Sequence, residues 1–241
     1  MQQQAMPSLP FPRQWFFGDL GDARPCAGTY DGYAYDDLPP IPALDGSLSW
    51  LGAVDVEADR RSAAIRQQLS AIMVQAELLG LTLPPAFVRF MSSQELLARV
   101  PEYAGSWFTV WDTQLDPLPG TSGYVLRFMN DQQDCVLWYL YITPDGQEAV
   151  LAAQDPYPAG PSAYLEHLVR PEEDDPPLSE EQRRAVLANV SVCAPSFEAF
   201  LYRWWREATI YMKVHDYDAT PLTDDERRYL AHCEKKWWGT E

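Results

Sequence analysis

Seven consecutive apolar residues, Val136 to Ile142, stand between two polar turns and constrain the fold more than any other feature of the chain. The run is far short of the roughly 18–20 residues of a membrane span and has the length of a buried strand. A strand apolar on both faces belongs in the middle of a sheet, with layers above and below. Before it, residues 130–134 read as a polar turn, and residues 123–129 put Tyr124, Leu126 and Phe128 on one face. After it, Thr143-Pro144-Asp145-Gly146 predicts a tight turn, because proline presets the first central position and glycine accepts a positive φ. Residues 147–153 return as a shorter strand, and residues 106–111 alternate loosely. Short connections favour antiparallel pairing, since parallel neighbours need a long crossover. The expectation is an antiparallel sheet over about residues 106–153.

Helical periodicity brackets this region. Ile65, Leu69, Ile72, Met73, Ala76 and Leu79 form one stripe, which Gly80 ends. Pro84-Pro85 opens a short helix to Met91, and another covers residues 93–100. Ser179 with Gln182 makes a capping box for a helix to about Val190, and Thr223 with Glu226 makes one for a last helix to about Lys236. Ser196 opens the strongest helix, with Phe197, Phe200, Leu201, Trp204, Ala208, Tyr211 and Met212 on one stripe. The fold class is therefore α+β, an antiparallel sheet covered by helices.

Residues 1–54 lack a sustained period and carry Pro7, Pro10, Pro12, Pro25, Pro39, Pro40 and Pro42, which break helices. Trp15, Phe16, Phe17, Tyr30, Tyr33 and Tyr35 make the segment too aromatic for a free tail, so it reads as an arm packed on the body. Residues 55–241 read as one domain with an acidic, proline-rich insert at 154–178, centred on Glu172-Glu173-Asp174-Asp175. In each tandem pair, Trp204-Trp205 and Trp237-Trp238, one ring is expected inside and the other over the arm. Met1 to Gln14 shows no basic cluster followed by an apolar run, so no secretory signal is expected. The cysteines, Cys26, Cys135, Cys193 and Cys233, are far apart and form no C-x-x-C pair. They read as small buried hydrophobes in a reduced, cytoplasmic protein.

The chain has 35 Asp+Glu against 18 Lys+Arg, a net charge of -17. Nucleic acid and anionic membranes are repelled by such a charge, whereas a basic protein is attracted. No G-x-S-x-G, Walker loop or H-E-x-x-H occurs, and Gly120-Thr121-Ser122-Gly123 has the wrong spacing for a nucleophile elbow. His215-Asp216-Tyr217-Asp218 lacks the glycine and distant glutamate of a calcium loop and reads as a helix C-terminus. Trp107, Trp111 and Trp138 near Asp112 and Asp116 fit a glycosidase only superficially. No cofactor, metal or catalytic residue is expected.

Three segments together resemble the SUKH superfamily of bacterial immunity proteins and their fungal cell-wall-regulator relatives. The first is Leu81-Thr82-Leu83-Pro84-Pro85-Ala86-Phe87-Val88-Arg89-Phe90-Met91. The second is residues 123–143, with Arg127-Phe128-Met129-Asn130-Asp131-Gln132-Gln133-Asp134-Cys135-Val136-Leu137-Trp138-Tyr139. The third is Cys193-Ala194-Pro195-Ser196-Phe197-Glu198-Ala199-Phe200-Leu201, continued by Trp204-Trp205-Arg206-Glu207-Ala208-Thr209-Ile210. The likeness spans about residues 55–214; the N-terminal arm and the acidic insert depart from it. It implies an α+β domain that binds and neutralises a toxin rather than catalysing a reaction. The leading expectation is thus a module that docks a basic protein. A regulatory scaffold without a toxin partner stands second, and a hydrolytic enzyme third. Loops on a rigid sheet hold charges in fixed geometry, so Asp112, Asp116, Asp131 and Asp134 are the expected contact residues.

Overall fold

A computed structural model describes residues 6–55, 63–110, 114–154, 165–169 and 178–238. The fold is α+β, built on a six-stranded antiparallel sheet. Its strands are β3 (Trp107–Phe108), β4 (Asp116–Pro117), β5 (Tyr124–Asn130), β6 (Val136–Ile142), β7 (Glu148–Gln154) and β8 (Val190–Ala194). The order is β3-β5-β6-β7-β8, with β4 also paired to β5. A separate antiparallel hairpin joins β1 (Gln14–Phe17) to β2 (Asp31–Ala34). The helices are α1 (Ala63–Leu78), α2 (Pro85–Ser92), α3 (Gln94–Ala98), α4 (Leu165–Val169), α5 (Glu180–Ala188), α6 (Phe197–Val214) and α7 (Asp224–Trp238).

Every residue of β6 is buried, as its unbroken apolar run requires. Trp138, Leu140 and Ile142 point into the main core with Phe87, Phe128, Phe197, Phe200 and Trp204. Leu137, Tyr139 and Tyr141 point the other way, into a smaller core closed by Phe11, Leu118, Leu165, Val186 and Val192. The predicted caps form: Ser179 and Gln182 exchange hydrogen bonds at the start of α5, and Thr223 and Glu226 do so at the start of α7. Gly80 takes the left-handed conformation, φ 67°, just beyond α1. Among the described residues no helix is long and apolar enough to cross a membrane.

Four expectations need correction. The sheet extends beyond residue 153: Val190 is not the end of a helix but the first residue of β8, which pairs antiparallel with β7. α5 stops at Ala188, where the apolar run turns from covering one face to filling both. Met73 is 49% exposed, with Val74 and Leu78 also exposed, so the α1 stripe is narrower than its periodicity suggested. Of the four cysteines, only Cys193 and Cys233 are buried; Cys135 is exposed and Cys26 half-buried. The N-terminal segment is also more than a covering arm. Trp15, Phe16 and Phe17 are buried in the main core, and β1 lies beside β8, where Val192 N–H donates to the Pro12 carbonyl at 2.8 Å. The centre of the acidic insert lies outside the described residues, although α4 within it buries Leu165.

Helix α6 explains how a segment without regular periodicity is held. It buries three charged side chains, Glu198, Arg203 and Glu207, and each binds a different stretch of the N-terminal segment. Glu198 accepts from Gly46 N–H, Leu48 N–H and the Trp50 indole. Arg203 donates to the Pro39 carbonyl at 3.0 Å and to the Tyr229 hydroxyl at 2.9 Å. Glu207 accepts from the Trp15 indole at 2.7 Å, from both terminal nitrogens of Arg24 at 2.9 and 2.5 Å, and from the Tyr229 hydroxyl at 2.6 Å. At about 100° per residue, Glu198 lies roughly 140–180° around the helix from the other two, so the segment passes from one side of α6 to the other. α7 closes over it: Trp237 meets Tyr33 edge to face, Trp238 N–H donates to the Asp22 carbonyl at 2.6 Å, and Lys236 pairs with Asp37 at 2.8 Å. In the first tandem pair Trp204 is buried and Trp205 packs on Trp50, as expected, whereas in the second neither ring is buried and both Trp237 and Trp238 meet the segment.

Burial alone would push the Glu207 carboxyl up, but Arg24, then Arg203 and Tyr229, outweigh it and hold the group below its ordinary value. Burial, then the charge of Glu207, push the Tyr229 phenol well up, so it stays a donor. Removing one partner of a buried pair strands the other charge. Arg24→Met should therefore cost about 3–5 kcal/mol in urea unfolding, and Arg24→Met with Glu207→Leu should cost less than the sum of the two single changes. Strict additivity would contradict the coupling. Because the folded value of Glu207 is depressed, its contribution is present above the ordinary 4.5 and is lost as pH falls through the folded value. The stability gap between the wild type and Glu207→Gln should narrow steadily below that pH. A gap independent of pH would rule the linkage out.

Candidate functional site

The four aspartates proposed as contacts fall in different environments. Asp112 lies outside the described residues. Asp116 is 7% exposed on β4, and Asp131 is 2% exposed at the end of β5. Asp131 faces its own turn, accepting from Gln133 N–H at 2.8 Å and Cys135 N–H at 3.0 Å. Burial raises its pKa against the pull of those two hydrogen bonds. Asp134 occupies a left-handed position, φ 54°, and its half-exposed carboxylate pairs with Arg127 at 2.9 Å. The structure therefore brings Asp131 and Asp134 together in one turn, but Asp131 shapes the loop rather than presenting charge. The turn works like a helix cap, with a short carboxylate satisfying nearby backbone donors.

The other sequence candidates are similarly occupied. Asp36 is exposed and pairs with Arg13. His215 ends α6 and meets Asp19 at 2.5 Å, joining that helix to the N-terminal segment. Trp138 is fully buried, and Trp107 lies on the edge strand, 40% exposed. Among the described residues, no group of three or more His, Cys, Asp or Glu side chains is placed to hold a metal ion.

One cleft among the described residues involves none of these. A cleft of about 400 Å³ opens between residues 41–46 and the first turns of α2 and α6. Proline dictates its shape. Pro84 and Pro85 start α2, and Pro195 precedes the Ser196 cap of α6, so both helices begin at the cleft wall. Ser196 Oγ accepts from Ala199 N–H at 3.2 Å, and Glu148, the first residue of β7, accepts from Phe197 N–H at 3.2 Å. Opposite them, the loop is pinned by Glu198. Its Oε2 takes Gly46 N–H at 2.5 Å, and its Oε1 takes Leu48 N–H at 3.0 Å and the Trp50 indole at 3.1 Å. Gly46 at φ 81° and Leu48 at φ 56° are both left-handed, which turns these amides toward one carboxylate. Pro42, Ile41, Leu44, Ala86 and Ala199 complete an apolar lining, with Asp45 at the rim.

The cleft was not legible in the sequence. Glu198 stands among first-turn helix residues, where an acidic side chain ordinarily faces the helix dipole. The one available signal was two proline-initiated helices, Pro84-Pro85 and Pro195-Ser196, but only the tertiary fold places them side by side. A second groove, about 420 Å³, runs between α6 and α7 under Pro39, Pro40 and Pro42. Arg206 lies over the rings of Tyr202 and Trp205 there, next to the exposed Arg228–Asp225 pair. No protein-family model, curated protein or solved structure matches this chain.

Glu198→Ala would leave two backbone amides and an indole without their acceptor. The expected cost is about 2–4 kcal/mol, with amide exchange at Gly46 and Leu48 accelerated well beyond that at Val150 in the sheet. Unchanged exchange at those two amides would show that the carboxylate does not hold the loop.

Proposed function

We propose that this protein works by binding: it docks a basic protein partner and occludes its active face, as a toxin-neutralising immunity protein does. The observation that carries this reading is the surplus of 35 acidic over 18 basic residues on a body with one core on each face of its sheet. Much of that charge is free to act outward. Asp22, Asp45, Glu77, Glu102, Asp145 and Glu234 are all exposed. Such a field raises the rate at which a cationic partner is captured, while a few well-packed contacts set the lifetime of the complex. The resemblance of residues 55–214 to SUKH immunity proteins supplies the toxin as the partner class and the cytoplasm as the place of action.

Catalysis has little to draw on in this reading. The carboxylates around the main cleft serve as acceptors for backbone amides, and a general acid or base must be available to a substrate proton. Binding is the use that leaves these groups where they are.

The test is the salt dependence of capture. Basic proteins retained by the full chain from its native lysate would be identified, and their association followed by stopped flow. The rate should fall by about tenfold or more between low and high ionic strength. A rate that ignores salt, or retained proteins that are acidic, would contradict the proposal.

A further inference from the structure

The charges buried around Glu207 do not cancel. Arg24 and Arg203 are both buried, 0% and 3% exposed, and the carboxylate that faces both is Glu207. Tyr229 does not supply a second negative charge, because burial and the charge of Glu207 keep its phenol protonated. Arg24 takes Glu207 directly, so the unmatched positive charge sits on Arg203. Both terminal nitrogens of Arg203 donate to neutral oxygens, the Tyr229 hydroxyl and the Pro39 carbonyl. Its Nε is buried with no acceptor among the described residues. A buried cation without a counter-ion is costly, and it favours an anion nearby.

The two residues that hold Arg203, Pro39 and Tyr229, also line the groove between α6 and α7. The groove itself keeps the same sign. Arg206 and Arg228 line it against a single carboxylate, Asp225, in a chain where acidic residues outnumber basic ones by 35 to 18. Asp225 is already paired with Arg228, one turn away on α7. Arg206 meets neutral groups only. One of its N–H groups donates to the Tyr202 hydroxyl at 2.9 Å, and its guanidinium lies 5.6 and 5.2 Å from the ring centres of Tyr202 and Trp205. The rings fix the position of the cation, and its other N–H donors have no acceptor among the described residues. His232 turns Nε2 to the Asp37 carbonyl at 3.1 Å, which leaves Nδ1 for a ligand.

We propose that this groove binds a small organic oxyanion, a carboxylate or a phosphate ester, with its charged head on Arg206 and Arg228 beside His232 and its apolar body against Pro39, Pro40 and Pro42. The bound anion supplies the counter-charge that Arg203, behind the groove wall, lacks. The planar fork of arginine matches both kinds of head, and the prolines have no side-chain freedom to lose. A volume of about 420 Å³ suits a small molecule. The inference is independent of the docking reading, since its ligand carries the opposite sign to a basic partner.

The isotopically labelled full chain would be titrated at fixed ionic strength with benzoate and with phenyl phosphate, and with benzamide as the neutral control. At least one oxyanion should shift the Arg206 Nε–H and the amides of Arg228 and His232, and benzamide should bind at least about tenfold more weakly. The tighter of the two oxyanions identifies the head as carboxylate or phosphate. Arg206→Gln should weaken binding by about tenfold or more, and Arg228→Gln, a change at an exposed position, should weaken it as well. Lys235→Gln removes the same charge from α7 outside the groove and should leave binding unchanged. An unshifted Val150 amide in the sheet reports that each variant is folded. Equal binding of benzamide, no saturable shift with either oxyanion, or a loss in Lys235→Gln equal to that in Arg206→Gln and Arg228→Gln would overturn the proposal.

Discussion

One buried carboxylate, Glu207, accepts four hydrogen bonds from three residues in two distant parts of the chain, and the rest of the structure is arranged around that requirement. An ion with no exposure to water is tolerated only when its lone pairs are filled and its charge is met. Arg24 meets the charge, while Trp15 and Tyr229 fill the remaining positions. The N-terminal hairpin, α6 and α7 therefore cannot separate without exposing an unpaired ion. Arg203 and Glu198 repeat the device at other points on α6. A proline-rich segment with little regular structure thereby becomes part of the core, and its wrapping of α6 creates the cleft wall at residues 41–46.

How much of this was legible follows from how local each cause is. β6 was readable because seven apolar residues between two turns have few other solutions. The caps at Ser179 and Thr223 were readable because a cap is settled within four residues. β8 was not: Val190-Ser191-Val192 follows α5 with a single residue between, and only pairing with β7 decides its state. The hairpin β1–β2 was hidden for the same reason. Its partner β8 and its acceptor Glu207 lie more than 170 residues away in sequence.

The candidate site was less legible than the fold. Acidic residues in a sheet turn looked like outward charges, but Asp131 is spent on its own turn, as short carboxylates near free amides often are. Glu148 and Glu198 carried no sequence signal, because their significance comes from two helix starts meeting a loop from the other end of the chain. Net charge, a property of the whole chain, carries no information about which surface a partner would meet.

Zero-length carbodiimide cross-linking of the full chain to its recovered partner addresses the docking directly, because each link records which molecule supplied the carboxylate and which the lysine. Docking through the acidic surface requires this chain to supply the carboxylates and the partner to supply the lysines. Links running the other way, from partner carboxylates to Lys235 or Lys236 on α7, would mean that the negative field of this protein is not what its partner recognises.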